Sequence, residues 1–427
     1  MMENGKILIE KRGISNKFKY KILSVYALYM VFFGFLMDSP SQILKGLLDI
    51  IMKPDLLITD YISVGGMGAA FVNAGLLALA FTFMIYMLGV DVNGLAVVAI
   101  SLAGGFALFG KNIFNVWFVL LGVLLYCKYK KEHFKNHVLI GILGTAMAPM
   151  VTQLMFTTGH GIMQRFLIGA AAGILSGFIL PPLSSYLLRV HQGYNLYNVG
   201  FAAGVIGTVM VSIFKSYGFL PESRVIWSTG NNLILGIWLG IMFFSMLALG
   251  WWLNGRSFKG YFDIFQYSGR AVTDFVTLEG FGPTLINMGL LGYMSMAYIL
   301  FIKGDFNGPT IGGIFTVVGF GAFGKHPKNV WPIFAGVWLG SVTKVWGAND
   351  PAIQLAALFG TTLAPIAGEF GPFIGIIAGF IHSSVVLNVG VLHGGMNLYN
   401  NGFAGGIVAA VMIPLIEAFG RRKENDS

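Results

Sequence analysis

The sequence predicts an all-α integral membrane protein of two homologous seven-segment halves, arranged as an inverted repeat with some segments broken or re-entrant. Three observations predict it: long apolar blocks without charge, an internal repeat held in register, and an uneven distribution of lysine and arginine.

The apolar blocks come first. Ile22 to Met37, Leu233 to Leu253 and Met288 to Ile302 each run without a charged residue, and only 11% of the chain is charged against 56% hydrophobic. Soluble domains carry about 25% charged residues, so a water-facing surface cannot be covered here. Backbone amides in hydrocarbon have no water to bond, which leaves helices or a closed barrel. Barrel strands alternate polar and apolar residues; these blocks do not, so they are helices. The 59 glycines suit membrane helices, whose backbones approach closely through small residues. The single Cys127 excludes an internal disulfide framework. A basic stretch (Lys6, Lys11, Arg12, Lys17, Lys19, Lys21) precedes the first apolar run with no small-residue cleavage site after it, and so reads as the flank of a retained span. The net charge of +9 lies between apolar blocks, which fits orientation in a membrane and argues against nucleic acid.

The repeat is read at a fixed offset. Thr59-Asp60, Gly66, Gly68, Asn73 and Gly75-Leu76-Leu77 return as Thr273-Asp274, Gly280, Gly282, Asn287 and Gly289-Leu290-Leu291. The same register holds for Asp91-x-Asn93-Gly94 with Asp305-x-Asn307-Gly308, and for Phe109-Gly110-Lys111 with Phe323-Gly324-Lys325. It holds too for Asn115-Val116-Trp117 with Asn329-Val330-Trp331. Further on, Gly144-Thr145-x-x-Ala148-Pro149 pairs with Gly360-Thr361-x-x-Ala364-Pro365. Extra residues around 157–165 shift the register, after which Gly169, Gly173 and Gly177 pair with Gly371, Gly375 and Gly379. The last block is the most distinctive: His191-x-Gly193-x-Asn195-Leu196-Tyr197-Asn198 matches His393-x-Gly395-x-Asn397-Leu398-Tyr399-Asn400. The division is therefore a basic cytoplasmic N-terminus (1–16), repeat one (17–215), an extracytoplasmic linker (216–230), repeat two (231–418) and a cytoplasmic tail (419–427).

Seven apolar segments fall in each unit, near 22–37, 61–88, 93–109, 113–127, 138–156, 166–187 and 195–214, then near 231–253, 275–302, 308–323, 330–346, 352–368, 370–391 and 397–418. The segments 93–109 and 308–323 are short and glycine-rich for spans of about 20 residues, and read as re-entrant or broken. If all seven segments cross and the N-terminus is inside, 19 Lys and Arg fall on the cytoplasmic side and 8 (Lys45, Lys53, Lys111, Arg165, Lys215, Arg224, Lys303, Lys344) outside, as the positive-inside rule expects. An odd number of crossings inverts the second copy. The loop Lys128-Tyr129-Lys130-Lys131 accordingly loses its basic cluster in the counterpart Gly347-Ala348-Asn349-Asp350.

Inverted repeats of transporters place substrate near the midplane where the copies meet. The polar positions kept in both copies are the candidates. Asn195, Tyr197 and Asn198 with Asn397, Tyr399 and Asn400 offer amides and phenols at helix starts, suited to a neutral hydrogen-bonding solute or a weakly held cation, or else to plain capping. Thr145, Thr361 and Thr362 with Pro149 and Pro365 mark a broken helix that either lines a cavity or is a kink re-satisfied by its neighbours. His191 and His393 are expected to flank the site at its mouths. With Glu369, which lies between two apolar segments, they are the residues considered for ion or proton coupling. Asp91-x-Asn93-Gly94 and its copy read as turns, Asn73 and Asn287 as bonds across helices, and the glycine triplets as close packing. No catalytic motif surfaces, and His133-x-x-x-His137 has metal-like spacing only in a basic loop, so no enzyme, metal or cofactor is expected.

With its paired His-x-Gly-x-Asn-Leu-Tyr-Asn blocks, the whole chain resembles a family of uncharacterised bacterial multipass proteins of about this length; the resemblance implies membership and no mechanism. A looser likeness is to urea transporters, which also have inverted halves with short pore-lining helices. Their Leu-Pro-x-x-Thr-x-Pro-Phe motif is absent here, and only the Thr and Pro near 145–149 and 361–365 echo it. The expectation is a multi-pass cell-membrane protein, both termini cytoplasmic, that moves a small solute by secondary transport, with sodium or proton as coupling ion and lipid and a second copy of itself as further partners. The alternatives are a passive facilitator for a small neutral solute and a non-transporting scaffold or receptor.

Overall fold

The computed structural model describes residues 13–159, 161–219 and 224–420; the basic residues Lys6, Lys11 and Arg12 and most of the tail lie outside the described residues. The first half contains α1 (Asn16–Met37), α2 (Pro40–Met52), a two-residue strand β1 (Ile58–Thr59), the short α3 (Tyr61–Gly65), α4 (Met67–Met87) and α5 (Gly94–Phe106). It continues with α6 (Trp117–Lys130), α7 (Val138–Gly144), α8 (Ala148–Thr157), α9 (Ile162–Val190) and α10 (Asn198–Ser216). After β2 (Val225–Ile226), which pairs with β1, the second half gives α11 (Asn232–Leu253), α12 (Phe275–Leu278), α13 (Phe281–Phe301), α14 (Gly308–Phe320) and α15 (Pro327–Thr343). It ends with α16 (Pro351–Gly360), α17 (Ala364–Phe370), α18 (Pro372–Val389) and α19 (Asn400–Gly420).

Among the described residues ten helices are long and apolar enough to cross a membrane, five from each half, with α7–α8 and α16–α17 each counted as one span. The protein is an all-α multi-pass membrane protein with an internal repeat. The expected short segments are the 13-residue α5 and α14. At 1.5 Å per residue each covers about 20 Å, short of a hydrocarbon core of about 30 Å. Asn93 and Asn307 do not sit in free turns as the sequence suggested. They cap these helices, each side-chain oxygen accepting from the amide three residues on, at 2.9 and 3.1 Å. The segments read as 61–88 and 275–302 are each broken near the start by glycine at positive φ (Gly66, 88°; Gly280, 94°), a conformation other residues adopt with strain.

Hydropathy did not single out α2. Ile43, Gly46 and Ile50 pack inward while Leu44, Leu48 and Met52 stay exposed, so lysine-bearing segment 40–52 is a helix with an apolar outer face rather than a loop.

Equivalent elements meet one another, and they meet head to tail. In α1 and α11, Tyr29 stacks on Trp238 at 5.3 Å and Tyr26 bonds Ser245 at 3.1 Å, so the higher number on one helix meets the lower on the other. The Gly94 amide donates to Asp274 at 2.8 Å, and the Gly308 amide donates to its equivalent, Asp60, at 3.2 Å. Gly105 of α5 lies against Gly312 of α14, and Gly319 against Ser101. Reciprocal contacts of this kind define a two-fold axis. Because the long spans α1 and α11 run antiparallel, that axis lies in the membrane plane and the repeat is inverted. The starts of α10 and α19 cross on the axis, with Gly204 under Phe403 and Gly406 under Phe201.

The glycine triplets pack closely in part. Gly173 and Gly177 let α9 rest on α6, and Gly375 and Gly379 let α18 rest on α15. Gly371, at φ 87°, instead makes the sharp join between α17 and α18.

Candidate functional site

Each short helix is followed by a tucked loop. Asn73 donates its amide to the carbonyls of Ala107 (2.7 Å) and Lys111 (2.9 Å), and Asn287 does the same for Gly321 and Lys325 (both 2.7 Å). The cross-helix bonding expected of these asparagines is therefore the clamp that folds the loop inward. Gly110 and Gly324 take positive φ there (137° and 95°). The consequence is that Lys111 and Lys325 are fully buried, although charge counting had placed one outside and one inside the membrane. No carboxylate lies within ion-pair distance of either among the described residues. Sequence reading used both lysines as register marks and in the charge count, not as site residues. Their repetition inside an apolar chain was the available clue.

The Asn-Leu-Tyr-Asn blocks arrive from the other side. The Leu196 amide donates to the Thr362 carbonyl and the Leu398 amide to the Ala146 carbonyl, both at 3.0 Å, so each block is stitched to the broken helix of the opposite half. Asn195 donates to the Gly402 carbonyl (3.0 Å) and accepts from Thr362 Oγ1 (2.5 Å). His191 and His393 are not at exposed mouths. Both are buried and bonded to Asn198 and Asn400 (3.0 and 2.9 Å), whose amides in turn donate to the carbonyls of Ser184 and Val386. These four residues brace the entry into α10 and α19.

On the axis the two copies differ. Lys325 Nζ donates to Tyr197 Oη and, at 2.7 Å, to Thr361 Oγ1, and lies over the rings of Tyr197 and Phe320 at 4.5 and 5.0 Å. Lys111 Nζ lies over the equivalent rings of Tyr399 and Phe106 at 5.5 and 5.2 Å but bonds nothing, and Tyr399 Oη and Asn397 Nδ2 are also buried without a partner. Thr145 and Thr361 donate back to the carbonyls of Ile142 and Leu358 within tight 3₁₀ turns, and Pro149 and Pro365 open the helices that follow. The break is thus a tightened turn rather than an unwound stretch. Glu369 is exposed at the end of α17, outside this cluster.

Two cavities flank the axis at equivalent places. One, of about 220 Å³, is lined by Leu143, Ser184, Leu196, Asn198, Phe323 and both axial tyrosines. Its counterpart, lined by Phe359, Val386, Leu398, Asn400 and Phe109, has about 30 Å³.

A further polar group has no copy. Asp55, between α2 and β1 and outside the spanning helices, is fully buried and accepts from Tyr61 Oη (2.8 Å), Thr152 Oγ1 (3.0 Å) and Asn115 Nδ2 (3.1 Å). Its equivalent is Gly269. Burial pushes its carboxyl up to about 8, against the opposing pull of those hydrogen bonds and of Lys53. Pro54 and Leu56 on either side line an open vestibule of about 540 Å³. Asn115 also donates to the Gly110 carbonyl at 3.1 Å, tying Asp55 to the loop that carries Lys111. A carboxyl held above its unfolded value of about 3.9 keeps a proton in the folded protein that the unfolded chain has lost. Stability is therefore expected to fall as pH rises from about 4 to about 8, by up to roughly 5 kcal/mol. Asp55→Asn should flatten that slope, as thermal unfolding across this pH range would measure; an unchanged slope would assign it to other groups.

The family described as "Protein of unknown function (DUF1576)" matches the chain over residues 39–216 and again over 253–418. No curated protein and no solved structure matches it.

Proposed function

The chain belongs to the family described as "Protein of unknown function (DUF1576)", and from the inequality of its two equivalent cavities we propose that it is a secondary transporter working by alternating access. Bulk accounts for part of the inequality, since Phe359 and Val386 stand where the wide cavity has Leu143 and Ser184, but a fixed pore needs a continuous path and gains nothing from one side being shut. A carrier caught in one of its two end states has one side shut, and exchange of the two half conformations gives the opposite state. The solute sits on the axis against Tyr399, reached through the wide cavity that both axial tyrosines line. Protons are the coupling ion best supported, because Asp55 combines a raised carboxyl, a neighbouring vestibule and a bond network reaching the Lys111 loop. In this reading the protein works in the cell membrane with both termini cytoplasmic.

Cysteines placed at Ser184 and Val386, in a Cys127→Ala background, report the two walls. In vesicles each is expected to react with an impermeant thiol reagent from its own face only. Imposing a pH gradient should raise one reactivity and lower the other. Reactivities that change together, or not at all, would point to a static pore or a scaffold.

A further inference from the structure

Resting on the carrier reading above, we infer that the transported solute is a small anion bound between Lys111 and Tyr399. Among the described residues, the buried side-chain atoms left unpartnered around this end of the axis include three donors, Lys111 Nζ, Tyr399 Oη and Asn397 Nδ2, with His393 Nδ1 beside Asn397. An ammonium has only hydrogens to offer, the amide nitrogen likewise, and the phenol can donate. With Lys111 protonated these donors carry one positive charge and, among the described residues, have no carboxylate within ion-pair distance, so the group that would complete them is an acceptor carrying negative charge. The other copy shows what the same residues do when no solute is needed: Lys325 closes directly onto Tyr197 and Thr361. The Lys111–Tyr399 pair is the same device held open. In the opposite end state Lys111 closes onto Tyr399 and Thr145 while Lys325 opens, so the two lysines hand the anion across the axis. The wide cavity of about 220 Å³ meets this site at Tyr399 without touching Lys111, and its size suits a small monocarboxylate or an inorganic ion, not a large organic anion.

Thermal unfolding of the purified full chain tests this with sodium chloride, nitrate, formate and acetate, at ionic strength balanced by gluconate, beside urea and glycerol as neutral probes. At least one small anion is expected to raise the midpoint saturably. Lys111→Gln should weaken its apparent affinity roughly 10–100-fold, and Tyr399→Phe by a smaller factor. Neither substitution removes a hydrogen bond made within the protein, so both variants are expected to fold. A saturable shift with urea or glycerol alone, no shift with any anion, or an anion shift unchanged in both variants would overturn the inference. The cysteine experiment is blind to solute charge. Alternating cysteines without anion binding would sink only the anion, and anion binding without alternation only the carrier.

Discussion

Gly204→Leu is expected to abolish recovery of folded, monodisperse protein. Gly204 sits where α10 crosses α19, and even a single Cβ there would overlap the Phe403 ring. The partner helix cannot retreat, because Gly406 makes the same contact with Phe201 across the axis and Leu196 and Leu398 are stitched to the opposite halves. Overpacking a close-packed interior typically costs about 1–3 kcal/mol, and here the strain falls on the contact that joins the two copies. Gly406→Leu should fail in the same way. Gly240→Leu, where an added Cβ meets nothing within 4 Å, should give a wild-type elution profile. Size-exclusion profiles of the three variants decide it. A monodisperse Gly204→Leu protein would mean that the halves do not meet through this crossing.

The second large effect is a stability difference between the two lysines. Lys111→Met should unfold at a higher temperature than wild type in the absence of small anions, and Lys325→Met at a lower temperature than Lys111→Met. Methionine keeps the length of the side chain and removes the charge. At Lys111 nothing is lost in exchange, since its ammonium has no hydrogen-bond partner. At Lys325 the change also breaks the buried bonds to Tyr197 and Thr361. Hydrogen bonds to charged groups contribute about 1.5–3 kcal/mol, so the two variants should differ by roughly 2–4 kcal/mol. Differential scanning of the two proteins side by side measures it. Equal midpoints would show that the two ammonium groups sit in equivalent surroundings.

The fold was legible because its determinants are local and repeated. Apolar blocks declare helices, and the register linking Asn73 to Asn287 and Lys111 to Lys325 declares two copies. Inversion followed from an odd segment count and the lost basic cluster, and the antiparallel contact of α1 with α11 bears it out. Helix α2 escaped because it is short and carries Lys45 and Asp49, which lower its hydropathy while leaving Leu44, Leu48 and Met52 exposed. The site was only half legible. Asn195, Tyr197, Tyr399, Thr361 and Thr362 are brought to the axis as a group. Lys111, Lys325 and Asp55 were not read as site residues, because charge in an apolar sequence is read as a loop. Whether a loop folds inward is decided by a distant clamp, here Asn73 or Asn287. For the same reason His191 and His393 were expected at the mouths of the site: their asparagine partners lie seven residues on, across the bend that starts the next helix.

The axis relates two stretches of chain that are alike but not the same. On the carrier reading, identical copies would make the inward- and outward-facing forms rotationally equivalent and of equal energy, and neither would be preferred at rest. The resting preference must therefore be written in the mismatches: Thr362 against Ala146, Ser184 against Val386, Asp55 against Gly269. Each such substitution tilts the balance between the forms, and Ser184 and Val386 do so from the cavity walls themselves. If the protein is such a carrier, drift at these positions offers evolution a way to retune which face is open at rest.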